Sequence, residues 1–417
     1  MLVSSGHEVF VATPRMDASA AGSQVLPVIQ QPARVALWPG EVVFVYECKE
    51  WRAPRTLAVG VIVRFSVLTL GDNYPSLRSH QQFYREVIDE AVTAEALGYW
   101  GFWVGEHHFG ASQRVFPSPQ MVLAAIAERT ERIRLGTGVS ILPVNDPIRL
   151  AEDLASLDLL SQGRVDVGVG RGYQPHEFAG FNVDINTTKA RFWEALEVIS
   201  GAWTQEQFSY DGDFYQYRDI DLLPRPIQQP HPPVWVAAAS PGSAEEAASR
   251  GYAFSGAPFG SARSAKEIRT QLDMYDQVFR DAGHGEPPRD LPHVVWCHVA
   301  DTTAQALANA ERGMKLKLDS ATKVWTPPGT KGYEAMAEIG KFLATATIDQ
   351  LDELSIFGDP DRCRERVEVY KSAGVKHLML YFDWGGLSHV ETIHALELFA
   401  EGVMPHFSDE LFEKPSP

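Results

Sequence analysis

Apolar and polar positions along this chain fall into a repeated unit: a short apolar run, then a stretch with helical spacing. The run 57–65 reads as a buried strand. The next segment, 81–97, carries Phe83, Val87, Ile88, Ala91, Ala94 and Leu97 on one helical face, and Gly98 stops it. The same alternation continues. Strands are predicted at 100–104, 133–139, 164–170, 234–238, 252–254, 293–299 and 376–382. Helices are predicted at 118–130, 147–160, 187–203, 242–250, 264–282, 361–373 and 390–402. Eight strands alternating with helices predict an α/β fold, a (β/α)8 TIM barrel. A doubly wound sheet would carry a Gly-x-Gly-x-x-Gly turn after its first strand; the residues after Phe65 hold none.

Two insertions break the rhythm. One, after the fourth strand, spans 208–227 and holds a hairpin signal at Asp211-Gly212-Asp213. The other, 301–357 after the seventh strand, has a helical stretch at 304–318 and a break at Pro327-Pro328-Gly329. Long insertions at the C-terminal face of a barrel are candidate lids. Residues 1–56 show no clear period. They read as a weakly ordered N-terminal extension or an early assigned start, with 57–417 as the barrel domain. A small β element is the competing reading, because Glu41–Tyr46 has strand character.

Composition narrows the function. The 417 residues carry a formal net charge of −17, which repels phosphate backbones and argues against nucleic acid. An anionic cofactor would then need a local positive site. Cys48, Cys297 and Cys363 are far apart and odd in number. They suggest neither a disulfide framework nor a metal site, so a cytoplasmic location is expected. No stretch of about 18 apolar residues exists, so no membrane span is expected.

The candidate chemistry sits where strands end. Trp100-Gly101-Phe102-Trp103-Val104 runs into Gly105-Glu106-His107-His108-Phe109. An imidazole at the C-terminal end of a barrel strand can move protons near neutral pH. A lone histidine there would read as packing; the Glu106-His107-His108 triplet favours a catalytic role. The fourth strand ends in Gly168-Val169-Gly170-Arg171-Gly172, where Arg171 can grip a phosphate. The fifth ends in Ala239-Ser240-Pro241-Gly242-Ser243. Its serines either cap the next helix or, with free N–H groups, bind an anion. In a barrel, Arg171, Ser240 and Ser243 could meet over one phosphate. Gly136-Thr137-Gly138-Val139 ends the third strand, where glycines let a planar ring approach or simply make a β-bulge. Asn145 or Asp146 caps the following helix. Tyr381-Phe382-Asp383-Trp384 either walls a pocket or fills the core.

These segments, in order, resemble the bacterial luciferase-like flavin-dependent monooxygenases. The resemblance runs from about Val63 to His406. It rests on Gly105-Glu106-His107-His108-Phe109, Arg134-Leu135-Gly136-Thr137-Gly138, Leu142-Pro143 with Asp146-Pro147-Ile148-Arg149-Leu150-Ala151-Glu152-Asp153, Leu160-Ser161-Gln162-Gly163-Arg164, and Gly170-Arg171-Gly172. It implies a TIM barrel that takes reduced FMN as co-substrate and, with O2, oxygenates a small, apolar organic substrate through a C4a-peroxyflavin.

By the same resemblance, His107 matches a histidine needed for activity and His108 its neighbour. Arg171, Ser240 and Ser243 match phosphate-binding positions. Gly138-Val139 matches a non-proline cis peptide under the flavin ring. Gly170 stands where luciferase has a reactive cysteine, which removes any thiol role there, and Ala239 replaces a glutamate. A separate NAD(P)H-dependent flavin reductase and a homodimer are implied. Three alternatives stay open: a deazaflavin-dependent oxidoreductase of the same barrel, a non-catalytic flavin-binding protein, and a metal-free lyase or isomerase using His107 and Glu106.

Overall fold

The computed structural model describes residues 63–407 except 111–112, 241, 258–261 and 322–332, together with two short strands near the N-terminus. Eight parallel strands form the frame: β1 Arg64–Thr69, β2 Gly101–Val104, β3 Arg134–Ile141, β4 Val165–Gly170, β5 Val234–Ala238, β6 Ala253–Gly256, β7 Pro292–Val299 and β8 His377–Tyr381. Each pairs with its successor. Gly256 of β6 meets His293 of β7, and Arg64 of β1 meets His377 of β8, so the sheet closes on itself. This is the (β/α)8 TIM barrel that the alternation predicts. A ninth short strand, Ile356–Gly358, extends β7 in parallel.

The helices obey their local signals. Pro147–Leu160 has the predicted bounds, and Asp146 caps it by accepting from the backbone N–H of Arg149 at 2.9 Å. Pro119 opens the helix Pro119–Ala127. The predicted hairpin of the first insertion forms, Phe208–Asp211 against Gln216–Ile220. The second insertion holds the helices Thr303–Ala321, Glu334–Thr345 and Ile348–Asp352. At the N-terminus, Arg34–Trp38 pairs antiparallel with Glu41–Val45, as the strand character of that stretch suggests. The chain divides into two compact units, 1–59 and 60–417.

The first strand differs from its prediction. Leu57–Ile62 lie outside the described residues, and β1 runs on through Ser66 to Thr69. Ser66 and Thr69 make this stretch look polar in sequence, yet both are fully buried. Ser66 Oγ bonds His377 Nε2 at 2.7 Å, and Thr69 Oγ1 donates to Asp383. A buried hydroxyl is tolerable only with such partners, and these come from more than 300 positions away.

Packing also revises the role of the glycines. A Cβ at Gly136 would stand 2.1 Å from the ring of Trp103, and one at Gly168 would stand 2.0 Å from the Thr137 carbonyl oxygen. These glycines exist because a buried tryptophan and a neighbouring strand fill their space. The eighth-strand aromatics are core: Tyr381, Phe382 and Trp384 are fully buried, and Trp384 packs on Trp296 and Phe357.

Candidate active site

The C-terminal ends of β1, β2, β3, β4, β5 and β8 define a mouth, and two groups of polar side chains lie on different sides of it.

On the β2 side, Glu106, His107 and His108 part ways. Glu106 is 3% exposed. It accepts from the backbone N–H of Ile141 at 3.0 Å and from Asn145 Nδ2 at 2.9 Å, and it sits 2.8 Å from His108 Nε2. It therefore ties β2 to the end of β3. Asn145 is spent on this tie, which leaves the capping to Asp146. The His108 ring packs edge-on against Phe181, 4.7 Å between centroids. His107 takes the central place, 6% exposed. Its Nδ1 lies 3.0 Å from Glu177 Oε1, and its Nε2 lies 2.6 Å from Arg114 Nη1. A guanidinium can only donate, so Nε2 is the acceptor and the ring proton is on Nδ1, which faces Glu177 Oε1 and the side-chain amide of Gln174 at 2.8 Å. Burial and the Arg114 charge push the His107 pKa down to about 4, so the ring is neutral at physiological pH.

Glu177 was not legible as a site residue. It lies on a short helix, Pro175–Gly180, just past β4. Burial raises its pKa, but His107 and the His108 N–H at 2.9 Å overcome that and lower it. Arg114 also went unread. It reaches the Tyr173 hydroxyl at 2.6 Å and Asp72 at 3.1 Å. Lys317, from the insertion helix Thr303–Ala321, donates to the other Asp72 oxygen and to the Tyr381 hydroxyl at 3.2 Å. Burial raises the Asp72 carboxyl, but Lys317 and Arg114 prevail and hold it at about 2. The signal for these residues was position alone: Asp72, Tyr173 and Glu177 lie within a few residues of strand ends, where barrel chemistry collects.

On the β4–β5 side, Arg171 lies half-buried just past β4, its guanidinium 4.1 Å above the Tyr333 ring. Tyr333 belongs to the second insertion and is anchored by its hydroxyl to Thr188 at 2.7 Å. β4 pairs with β5, with Val169 opposite Val236. Arg171 and Ser240 therefore leave adjacent strands at the same end of the barrel. The helix after β5, Ser243–Ser249, is capped by Gly242 at φ +80° with no side-chain cap. Neither serine does the capping that would explain it without a ligand. Their hydroxyls instead meet at 2.5 Å, both half-buried.

Between the two sides, β3 is buried at Thr137 and Ser140 but half-buried at Gly138 and Val139. The Gly138–Val139 peptide is cis, and the β3–β4 register shifts across it. A Cβ at Gly170 would stand 2.6 Å from Val139 Cγ2, so the valine fills the place of a side chain there. Among the described residues no cluster could hold a metal ion, and no helix is long and apolar enough to cross a membrane.

The profile of the family described as luciferase-like monooxygenase matches residues 63–377, and the chain belongs to that family. It is 27% identical to the oxygenase component of a flavin-dependent trigonelline monooxygenase of Acinetobacter baylyi, over 84% of this chain and 98% of that protein. It is 27% identical to an F420-dependent glucose-6-phosphate dehydrogenase of Amycolatopsis mediterranei, over 77% and 94%. An uncharacterized Sinorhizobium fredii protein, y4wF, matches at 39% identity, over 40% of this chain and 49% of its own length. Among solved structures, the monooxygenase RslO1 of Streptomyces bottropensis superposes with a TM-score of 0.72 at 28% identity, covering 83% of this chain and all of that one. The oxygenating constituent of 3,6-diketocamphane monooxygenase of Pseudomonas putida, in complex with FMN, shares the fold with a TM-score of 0.66 at 19% identity, over 82% and 98%.

Proposed function

We propose that this chain is a flavin-dependent monooxygenase that takes reduced FMN and O2 and oxygenates a small organic substrate. The observation that carries this reading is the pair of hydroxyls, Ser240 and Ser243, which meet at 2.5 Å without capping the helix after β5, on the strand end next to that of Arg171. One guanidinium and two hydroxyls form a donor set that suits a phosphate monoester. Around the barrel the half-buried Gly138–Val139 backbone belongs to β3, between β2, which leads to His107, and β4 and β5, which lead to that set.

Reduced FMN supplies the electrons that make dioxygen reactive. The chain supplies the rest. Arg171 pairs with the phosphate charge, and Tyr333 beneath it keeps the guanidinium from swinging away. Glu106 fixes the end of β3 against β2, which holds Gly138–Val139 in place. His107 keeps its proton on Nδ1 and presents a lone pair at Nε2. A substrate group that displaces Arg114 from Nε2 removes a positive neighbour and makes the ring more basic. The ring then takes the proton of that substrate group at Nε2, and Glu177 stabilises the imidazolium.

The name of the trigonelline relative, an oxygenase component, supports a separate reductase as the source of reduced flavin. A second reading, F420-dependent hydride transfer, is favoured by the equal identity to the Amycolatopsis dehydrogenase. Binding of FMN and F420 to the purified protein decides between them, together with oxygen uptake when a reductase feeds reduced FMN. FMN binding with substrate-dependent oxygen uptake is expected. F420 binding with no oxygen uptake would overturn the reading. A His107→Ala variant that keeps full turnover would remove His107 from the mechanism.

A further inference from the structure

On the β8–β1 side of the barrel, two buried acids stand between the surface and the mouth. Asp383 follows β8 and accepts from the Thr69 hydroxyl at the end of β1. Glu90 belongs to the helix His80–Ala96, which follows β1. Asp383 is 2% exposed and Glu90 1%. His389 opens the last barrel helix, His389–Gly402, and its Nδ1 lies 2.9 Å from Glu90 Oε1. The His389 side chain is 28% exposed, so this end of the cluster is open to solvent.

The cluster holds too little positive charge for both acids to ionise. Arg78 acts on both of them, but it gives Nη1 to Glu86 at 2.8 Å and Nε to Asn73 at 3.2 Å. Asp89 adds negative charge at His389, and Asp72 adds it at Asp383. Burial raises both carboxyls, and Glu90 raises Asp383 further. Two like carboxyls in such a place keep a proton between them. Four buried polar atoms here have no hydrogen-bond partner among the described residues: Asp383 Oδ1, Asn73 Nδ2, Arg78 Nη2 and Thr392 Oγ1. Asn73 is joined to Arg78, and Thr392 follows His389 on the same helix face. Buried donors and acceptors of this kind are the partners that hold an internal water.

The inner end of the cluster meets the mouth. The backbone N–H of Gly385, two residues past Asp383, donates to Asp72 at 3.4 Å. The Asp383 carboxyl acts on the charge of Lys317 and of Tyr381, and Asp72 leads through Arg114 to His107. The proposed reaction needs a proton there. Reduced FMN as its anion, O2, the substrate and one proton give oxidised FMN, the oxygenated substrate and water. Resting on that reaction, we infer that Glu90 and Asp383 are a proton relay, which takes a solvent proton at His389 and passes it through buried water to the mouth. A proton received at His389 Nε2 releases the Nδ1 proton to Glu90. Water carries a proton from Glu90 to Asp383, and Asp383 gives it up at the mouth, returning to the carboxylate.

Infrared spectroscopy of the full chain without flavin, near neutral pH, reads the relay directly. The wild type should show a carbonyl stretch of a protonated carboxyl that Asp383→Asn removes. After transfer to heavy water, deuterium exchange of that band should slow by about tenfold or more in Glu90→Gln and in His389→Gln. The glutamine of His389→Gln can still donate to Glu90 but relays no proton. With a reductase feeding reduced FMN, Asp383→Asn should lower substrate-dependent oxygen uptake by about tenfold or more while FMN binds as before. Absence of the band, exchange at the wild-type rate in both glutamine variants, or full oxygen uptake by Asp383→Asn would overturn the inference. Melting curves identify a variant that fails to fold; the band of the wild type and its exchange in the variants that fold then carry the test. Failure of FMN to bind would instead count against the flavin reading, and the infrared result would still decide the relay.

Discussion

On the β1–β2 side of the mouth, Asp72, Glu106, His107 and Glu177 are buried and bonded into one chain of charge and hydrogen bonds. On the β4–β5 side, Arg171, Ser240 and Ser243 are half-buried, and the two serine hydroxyls lie 2.5 Å apart. The first arrangement is costly to disturb whether or not a ligand is present, because any deletion strands a buried partner. The second holds little of the fold together and offers donors outward. On the proposed function the difference separates a preorganised reacting side from a docking side, and it predicts that substitutions on the two sides move different observables.

The sharpest way to break this comparison is to ask whether the barrel itself tolerates change between the two sides. Gly168→Ala places a Cβ against the Thr137 carbonyl, a backbone atom that cannot give way. The expected result is loss of soluble folded protein, at or beyond the usual overpacking cost of about 1–3 kcal/mol. A normal melting curve for this variant would mean that β3 and β4 are not as close as the fold requires.

Next in size is Glu106→Ala, which strips partners from the Ile141 N–H, Asn145 and His108. It should cost about 2–3 kcal/mol in denaturant unfolding. The double variant Arg171→Ala with Ser240→Ala should stay within about 1 kcal/mol of the wild type. It should nevertheless weaken FMN binding at least tenfold, followed by flavin fluorescence. Equal destabilisation by the two changes would erase the distinction.

The pH dependence of stability sharpens the same contrast. His107, His293 and His298 are lowered to about 4 and His377 to about 3, in each case first by burial. A histidine whose folded pKa is depressed stabilises the fold above its unfolded value of about 6.5 and loses that contribution as pH falls towards 4. Each should add a slope of up to about 1.4 kcal/mol per pH unit over that window. The half-exposed His389, raised by its hydrogen bond to Glu90, and the carboxyls of Asp383 and Glu90, raised first by burial, oppose them. Urea unfolding at pH 7.5, 6 and 5 should show a smaller fall in stability for His107→Gln than for the wild type, and equal falls would contradict the neutral state of His107.

The smallest effect belongs to Gly170→Cys. Its Cβ is crowded by the Val139 methyl, 2.6 Å away, and stands at ordinary contact distance from Ala237, so a cost of about 1–2 kcal/mol is expected. Val139→Ala in the same chain should relieve it, read as recovery of the melting temperature.

Much of the fold was legible because its signals are local. The period of apolar residues, Pro119 and Pro147 at helix starts, and Asp211-Gly212-Asp213 at a hairpin each act within a few residues. The β1 boundary was misread because Ser66 and Thr69 owe their burial to His377 and Asp383, far along the chain. In the site, Glu106, His107, His108, Gly138, Val139, Arg171, Ser240 and Ser243 stood out by type and place. Their division of labour did not. Glu106 ties two strands, His108 packs on Phe181, and His107 is gripped from both nitrogens by Glu177 and Arg114.

By itself, the sequence determined the barrel, the strand ends where polar residues gather, and the net negative charge. Periodicity and charge are properties of the chain read in order. Only the tertiary structure decided which residues of the insertion after β7 reach the mouth. Lys317 is bound to Asp72, 245 positions earlier, and Tyr333 lies under Arg171. It also decided the protonation of His107, because burial and the neighbouring guanidinium set a pKa, and neither exists until the chain has closed around the ring.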